Sequence, residues 1–414
     1  MKQPMESKVK KPIFYFKLLL IVALFGLASY PFSAYGQHRQ LKIEKELVLS
    51  NTGSIKINGP ESVRITGKGT IHTRQIADQY IVSRNSDSPH IYTIDKKLVV
   101  HTWDKNLVKQ VSTISYACKT VEQEEELKAV LALNLAENAA GIVEIDCELN
   151  ISYFRVKNGW FTTENNHIIL DNGKVYPIEF LSISTTLYIP INSQVIIAAE
   201  KNDIHLDRHK GTLEIQAVGG SLEADEIHNL KGDFEFTKMK VQHLGNASLV
   251  MQNSSLKANS IEKLTLKSAT SKLEVDTIEA LTISKSLNDQ FYLESVKSLK
   301  ATNSVFSNYH LASCLERLDM TLKSGDLDIK NFGSSMKFAF IKNQNAKAQI
   351  NLNNLESYSL LINSYNQSKY RLPDNFILTK SDDQAVYQWG ENPEKTKIQI
   401  DCTHCEVTLH NTSQ

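Results

Sequence analysis

The stretch Ile261–Gly333, IEKLTLKSATSKLEVDTIEALTISKSLNDQFYLESVKSLKATNSVFSNYHLASCLERLDMTLKSGDLDIKNFG, divides into four consecutive units. They begin at Ile261, Ile278, Val296 and Leu315 and run 17, 18, 19 and 19 residues. Each opens with an aliphatic residue and carries Leu three positions on: Leu264, Leu281, Leu299 and Leu318. A polar corner containing Ser, Asn or Lys follows. A second alternating pair then closes each unit: Leu273/Val275, Phe291/Leu293, Tyr309/Leu311 and Leu327/Ile329. Weaker copies precede these, opening at Ile227 and Val241.

A repeat of this length with period-two alternation has a specific physical reading. One unit is too short to bury its own apolar face, but stacking on its neighbours puts inward side chains in dry columns and outward ones in water. Each buried aliphatic residue contributes about 1.5–3 kcal/mol relative to exposure, which offsets much of the ordering entropy of a short coil. The expected fold is therefore mainly β, a parallel β-helix or β-solenoid. An antiparallel meander of the same strands is the rival, disfavoured because few Asn-Gly or Asp-Gly hairpin turns separate the strands.

Outward from the repeats, Gln349–Gln414 reads as more of the same with longer loops and a final turn. There Ile398, Ile400 and Cys402 share an inward face, as do Cys405, Val407 and Leu409 after a Thr403-His404 corner. Upstream, Leu41–Trp103 reads as strands, as do Ile142–Phe161 and His167–Ala199. Between them Val121–Ala139, VEQEEELKAVLALNLAENA, predicts one flanking helix, with Thr120 as N-cap, acids in the first turn and Gly141 beyond its end. Such a helix caps or sides a solenoid. The chain thus divides into a leader (1–36), an N-terminal β-rich region with one helix (37–200) and a repeat solenoid (201–414), clearest at 227–333.

The leader has Lys2, Lys8, Lys10 and Lys11, then the apolar run Leu18–Ala28, then small residues ending in Ala34-Tyr35-Gly36. This is a signal-peptide pattern with cleavage before Gln37. The competing reading is an uncleaved anchor, because Ile13–Tyr35 is long enough to span a bilayer. Either way the rest of the chain is expected outside the cytoplasm, in the periplasm, on the outer surface or secreted. That compartment permits disulfides. The five cysteines, Cys118, Cys147, Cys314, Cys402 and Cys405, are too sparse for a disulfide framework; Cys118–Cys147 or Cys402–Cys405 can pair, and at least one thiol stays unpaired in the monomer. Lys+Arg and Asp+Glu are both 46, so no global field draws the chain to nucleic acid or anionic lipid, and no nucleic-acid partner is expected.

The stretch Thr185–Ile227 adds a family resemblance. It supplies Ile189-Pro190 at a strand end, then Gly211-Thr212-Leu213-Glu214-Ile215; Ser324-Gly325-Asp326-Leu327-Asp328-Ile329 follows later. The aliphatic–Pro pair followed by Gly-x-Leu-x-Ile turns resembles the adhesin-like β-helix family of bacterial envelope proteins, the DUF4097/DUF2807 group with its head GIN domains. The likeness covers roughly residues 176–333; the chain departs from the family in having only 17 Gly and in the 121–139 helix. The resemblance implies a right-handed or roll-like β-helix outside the cytoplasm and carries over no catalytic residue.

Aligning the units also places outward residues in columns: Glu274, Tyr292, His310 and Asp328, beside Lys272, Gln290, Asn308 and Asp326. The first column is the candidate contact strip for a carbohydrate or peptide. As an acid pair, Glu274 and Asp328 stand three rungs or roughly 14 Å apart, beyond the about 5–9.5 Å of glycosidase carboxylates. Asp326 and Asp328 are closer, about 6.6 Å, but an Asp-Leu-Asp alternation reads first as a solvated strand face. His205, Asp207 and His209 alternate along one strand and so offer a zinc-like ligand set, yet without the rest of a site. Cys402-x-x-Cys405 lacks both the second pair of a zinc site and a thioredoxin-like context. No phosphate-binding Gly-rich loop, Gly-x-Ser-x-Gly elbow or His-Glu-x-x-His motif is present. The expectation is a non-enzymatic protein with no cofactor and no metal, whose partner is an envelope or extracellular protein or glycan, with membrane contact only through an uncleaved leader. The alternatives are a β-helix enzyme acting on polysaccharide and a membrane-anchored envelope-stress sensor.

Overall fold

A computed structural model describes residues 37–49, 54–58, 64–66, 71–76, 79–84, 90–93, 95–118, 134–137, 143–146, 151–156, 166–170, 175–177, 181–365, 368–372, 379–381 and 384–411. The leader and Cys147 lie outside the described residues. In the middle of the molecule the strands Lys238–Gln252, Ser255–Ala269, Lys272–Leu287 and Gln290–Val305 lie parallel, each on the next. Lys238 pairs with Ser255, Ser255 with Lys272, Lys272 with Gln290, and Gln290 with Asn308. One rung therefore takes 17 or 18 residues, and the chain coils as a parallel β-solenoid. The antiparallel meander does not occur in the repeat.

The inward columns are those the repeat predicts. Leu264, Leu281, Leu299 and Leu318 stand in consecutive register, each at most 1% exposed. Leu273–Phe291–Tyr309–Leu327 and Val275–Leu293–Leu311–Ile329 form two more buried columns. The Phe291 and Tyr309 rings stack, with centroids 4.4 Å apart. Two unit openings are corrected. The first position of the fourth unit is Cys314, paired with Val296, because a register shift follows Val296 and leaves Leu315 half-exposed. Val241 pairs with Ala258 in the closing column, and Leu244 is the residue that opens its unit beside Ile227 and Ile261.

One corner of every rung is made by a residue with left-handed backbone. Phe236, Asn253, Thr270, Asn288, Phe306 and Ser324 all have φ between 49° and 58°. The residue after each corner turns inward, and most of these are polar and buried: Thr237, Ser254, Ser271, Asp289 and Ser307. Together they form an internal ladder. The Thr237 amide donates to Ser254 Oγ (3.0 Å), the Ser254 amide to Ser271 Oγ (3.2 Å), the Ser271 amide to Asp289 Oδ1 (2.7 Å), and the Asp289 amide to Ser307 Oγ (3.2 Å). The hydroxyls donate onward to corner carbonyls, so these buried groups are satisfied rather than costly. Three positions before Ser271, Asp289 and Ser307 stand Ser268, Ser286 and Ser304, also buried. Ser268 donates to Asp289 (2.7 Å), and Ser304 Oγ lies 2.6 Å from Tyr309 Oη. Burial raises the Asp289 pKa and pushes the Tyr309 phenol up to about 12. At Gly220, φ is +76° and a Cβ would lie 2.2 Å from the Asn202 carbonyl oxygen, so only glycine fits that corner.

The ends of the solenoid depart from chain order. Leu181–Pro190 lies between Asp95–Trp103, to which it is parallel, and Leu107–Cys118, to which it is antiparallel; Gln37–Val48 adds antiparallel outside. Ser54–Asn58 pairs with residues 194–198 and with Val143–Asp146, so strands from before residue 200 continue the same sheet. The boundary drawn at 200/201 falls within one continuous strand, Gln194–Glu235. At the other end Lys397–Thr403 and Glu406–His410 sit between Phe338–Asn351 and the later-stacked Tyr358–Tyr365 and Lys369–Arg371. The last stretch of chain is therefore not the terminal rung. Gln384–Trp389 folds back antiparallel on Tyr358–Tyr365, covering an edge that would otherwise expose unpaired backbone.

The helix expected at Val121–Ala139 is corrected where it is described. Asn134–Glu137 is a strand, antiparallel to Val143–Asp146. Helix propensity is a weak prior that ladder pairing overrides; the remainder, 121–133, lies outside the described residues. Among the described residues the helical element is the short 3-10 turn Pro393–Lys395, and no helix is long and apolar enough to cross a membrane. Cys402 and Cys405 form a disulfide and both point inward, while Cys314 is a buried free thiol. The bridge occupies the corner positions that Ser268 and Ser271 fill in the middle, with His404 as the left-handed residue. The alternative pair Cys118–Cys147 cannot be placed, because Cys147 lies outside the described residues.

Candidate binding face

Outward residues of consecutive rungs fall in columns because parallel pairing stacks equivalent positions. Glu274, Tyr292, His310 and Asp328 are in direct register, one per rung. They are linked by side-chain contacts. The Tyr292 and His310 rings stack with centroids 5.0 Å apart and planes 14° from parallel. The Lys272 ammonium lies 4.9 Å from the Tyr292 ring centroid and also pairs with Glu274. His310 Nδ1 is 3.8 Å from Asp328 Oδ2. In the neighbouring column Lys272, Gln290 and Asn308 follow in register; Gln290 accepts a hydrogen bond from the Tyr292 hydroxyl (3.2 Å), and Asn308 accepts one from the Asp326 amide (2.9 Å).

The electrostatics of this patch are those of an exposed ion pair. The hydrogen bond from Lys272, reinforced by the charges of Lys272 and Lys257, lowers the Glu274 pKa against the opposing effect of burial, and Glu274 raises that of Lys272. A surface pair of this kind adds little stability. Its effect is to hold Lys272 over the tyrosine, presenting a flat aromatic–imidazole surface rimmed by one cation, two carboxylates and two amides. Such a surface offers a ring face to an apolar ligand face and fixed donors and acceptors to its polar edge.

His205, Asp207 and His209 are not brought together. His205 and Asp207 face outward, where His205 Nδ1 lies 3.3 Å from Glu223 and Asp207 lies 2.7 Å from His101 Nδ1. The alternation breaks between Asp207 and Arg208, which turns His209 inward and buries it fully. Neither ring nitrogen of His209 has a hydrogen-bond partner. Burial lowers its pKa, while the nearby backbone of Ser193 and Thr212 partly opposes the shift.

Sequence reasoning missed the aromatic group at the N-terminal end of the same face. Tyr188 lies 5.2 Å, ring to ring, from both His101 and Trp103. Tyr188 and His101 are paired strand neighbours although 87 residues separate them. No local spacing signals that contact.

No protein-family model matches the chain, and no curated protein does. Among solved structures, one described as a "putative cell adhesion protein" from Clostridium sporogenes aligns with 90% of this chain and 99% of that one. The identity is 11% and the TM-score 0.20, a likeness too loose to support an argument.

Proposed function

We propose that this is an exported, non-enzymatic cell-envelope protein that works through the outer face of its solenoid, as an adhesin-like binder or scaffold. The observation that carries the reading is the in-register column Glu274–Tyr292–His310–Asp328, with Tyr292 and His310 stacked and Lys272 held over the ring. A long ladder of parallel strands repeats its outward side chains at a fixed spacing of about 4.8 Å. That geometry suits an extended partner, an envelope or extracellular protein or glycan, engaged at several rungs together. The leader at residues 1–36 and the resemblance to adhesin-like envelope β-helices support the location outside the cytoplasm.

The polysaccharide-enzyme alternative draws less support from this face. Glu274 and Asp328 are three rungs apart in register, roughly 14 Å, too far for a cooperating acid pair. The test is a glycan array and an envelope-fraction pulldown with the wild-type protein and the double variant Tyr292→Ala/His310→Ala. Retention by the wild type and its loss in the variant is the expected result. Retention unaffected by both substitutions, or turnover of any bound polysaccharide by the wild type, would overturn the reading. A mass spectrum of the exported protein beginning at Gln37 is expected; a chain retaining residues 13–35 would instead favour the anchored sensor.

A further inference from the structure

A cavity of about 200 Å³ opens on the same outer face, over two rungs of Gln194–Glu235 and the first residues of Lys238–Gln252. It is lined by His205, Asp207, Glu223, Asp225, Lys240 and Gln242, with the core residues Leu206 and Ala224 buried beneath it. The walls are two adjacent outward columns: Glu223 pairs in register with Lys240, and Gln242 donates to Asp225 (2.9 Å). Three carboxylates thus face one ammonium, with the His205 imidazole set 3.3 Å from Glu223. The site is net negative, and it also carries the Gln242 amide.

On one flank Asp207 is tied to His101, on which Tyr188 stacks, with Trp103 beyond. On the other flank the strip continues to the Tyr292–His310 stack. Seven strand spacings, roughly 34 Å, separate the rungs of Tyr188 and Tyr292. The cavity therefore lies inside a track that starts and ends on aromatic rings.

We propose that this cavity is a subsite for a positively charged amino sugar within a glycan chain lying along the track, an inference that rests on the surface-binding function above. An ammonium substituent meets the Asp207, Glu223 and Asp225 carboxylates, where charge-assisted hydrogen bonds are strongest. Ring hydroxyls reach Gln242 and Lys240, and the C–H face of the next sugar along the track lies on the neighbouring aromatic rings. A basic peptide is the weaker occupant. Peptides gain affinity on sheets chiefly by pairing with an open strand edge, and here both neighbouring edges are already paired, leaving only side chains to recognise it.

The experiment is isothermal titration calorimetry of the full chain with oligomers of glucosamine, with the N-acetylated oligomers of equal length, and with oligolysine. Wild type, Asp225→Asn and Glu223→Gln are compared, with thermal melting as the check that the near-isosteric amides leave the fold intact. Binding of the glucosamine oligomer is expected, weakened about tenfold by either substitution, the effect of losing one charge-assisted hydrogen bond. N-acetylation, which removes the charge, should weaken binding at least as much. Equal binding of the acetylated oligomer, affinity unchanged in both variants, or oligolysine binding as tightly as glucosamine would overturn the proposal. If glucosamine fails to bind while envelope glycans or proteins are still retained through Tyr292, this subsite falls and the surface-binding function stands. If nothing is retained at all, both fall.

Discussion

The middle of the solenoid and its two ends are built from the same kind of rung but by different routes. Between residues 221 and 329 each rung stacks on the one just before it in sequence, 17 to 19 residues away. At the ends the chain inserts late strands between earlier ones. Leu181–Pro190 enters between Asp95–Trp103 and Leu107–Cys118, and residues 397–410 enter between rungs laid down at 338–351 and 358–371. The middle is therefore a local, nearest-neighbour structure, in which any rung can template the next. The ends depend on closing long loops before their contacts form. Antiparallel pairs cover the solenoid at both ends, Gln37–Val48 and Leu107–Cys118 at one and Gln384–Trp389 on Tyr358–Tyr365 at the other, where a purely sequential coil would leave open edges.

The corners sharpen the contrast. In the middle, the positions flanking the left-handed residue are hydrogen-bonded hydroxyls and one buried carboxylate. In the inserted rung the same two positions are Cys402 and Cys405, joined covalently. A rung that must be held by its own chemistry, rather than by growth from the preceding rung, gains most from a staple.

The comparison can be broken at several points. Leu299→Ala, in a column with no exposed member, should cost about 2–5 kcal/mol through lost transfer energy and a residual cavity. Thermal melting would show this as a lowered main transition, and an unchanged melt would mean the columns do not carry the middle of the fold. The double variant Cys402→Ser/Cys405→Ser should cost about 2 kcal/mol for a loop this short. The loss should stay local: amide hydrogen exchange should rise in residues 397–410 and not in 255–305. A uniform rise along the chain would mean that the ends and the middle unfold together. Tyr309→Phe removes the hydroxyl shared by Ser286 and Ser304 but keeps the ring stacked on Phe291, so chemical denaturation should report a loss of about 1 kcal/mol.

The smallest expected effect depends on pH. His209 has a lowered pKa in the folded state, so folding holds it neutral while the unfolded chain protonates near its ordinary value of 6.5. Its contribution is complete above that value and is lost as pH falls below it, towards the lowered folded pKa. Asp289, with a raised pKa, works in the other direction: its carboxyl favours the folded state increasingly as pH falls through the raised value towards 3.8. His209→Leu should accordingly flatten the fall in melting temperature just below pH 6.5, and an unaltered profile in that variant would remove His209 as its cause.

The columns of Leu264 and Leu273 were readable because they depend on alternation and on a short, constant spacing. The outward column of Glu274, Tyr292, His310 and Asp328 followed from the same alignment, since inward register sets outward register. The hydroxyl ladder was not readable. Alternation assigns inward positions to apolar residues, and Ser268, Ser286 and Ser304 occupy them as polar groups satisfied across rungs or, for Ser304, by Tyr309 around the corner. The corners carried no backbone signature either, because Phe236, Thr270 and Phe306 take a left-handed conformation usually left to glycine or asparagine. The helix expected at Val121–Ala139 failed at Asn134–Glu137, where pairing with the nearby strand Val143–Asp146, itself laid on Ser54–Asn58, outweighed local propensity.

Local periodicity along the chain was enough to specify a coiled, parallel, β-rich interior, because a rung that cannot bury its own face must stack on the nearest copy of itself. Which strands slot between which at either end, which polar groups turn inward, and which distant residues meet at the His101–Asp207 cavity were decided only by three-dimensional pairing. Those contacts join residues up to 140 positions apart, and no pattern within a short window encodes a choice among partners so far away.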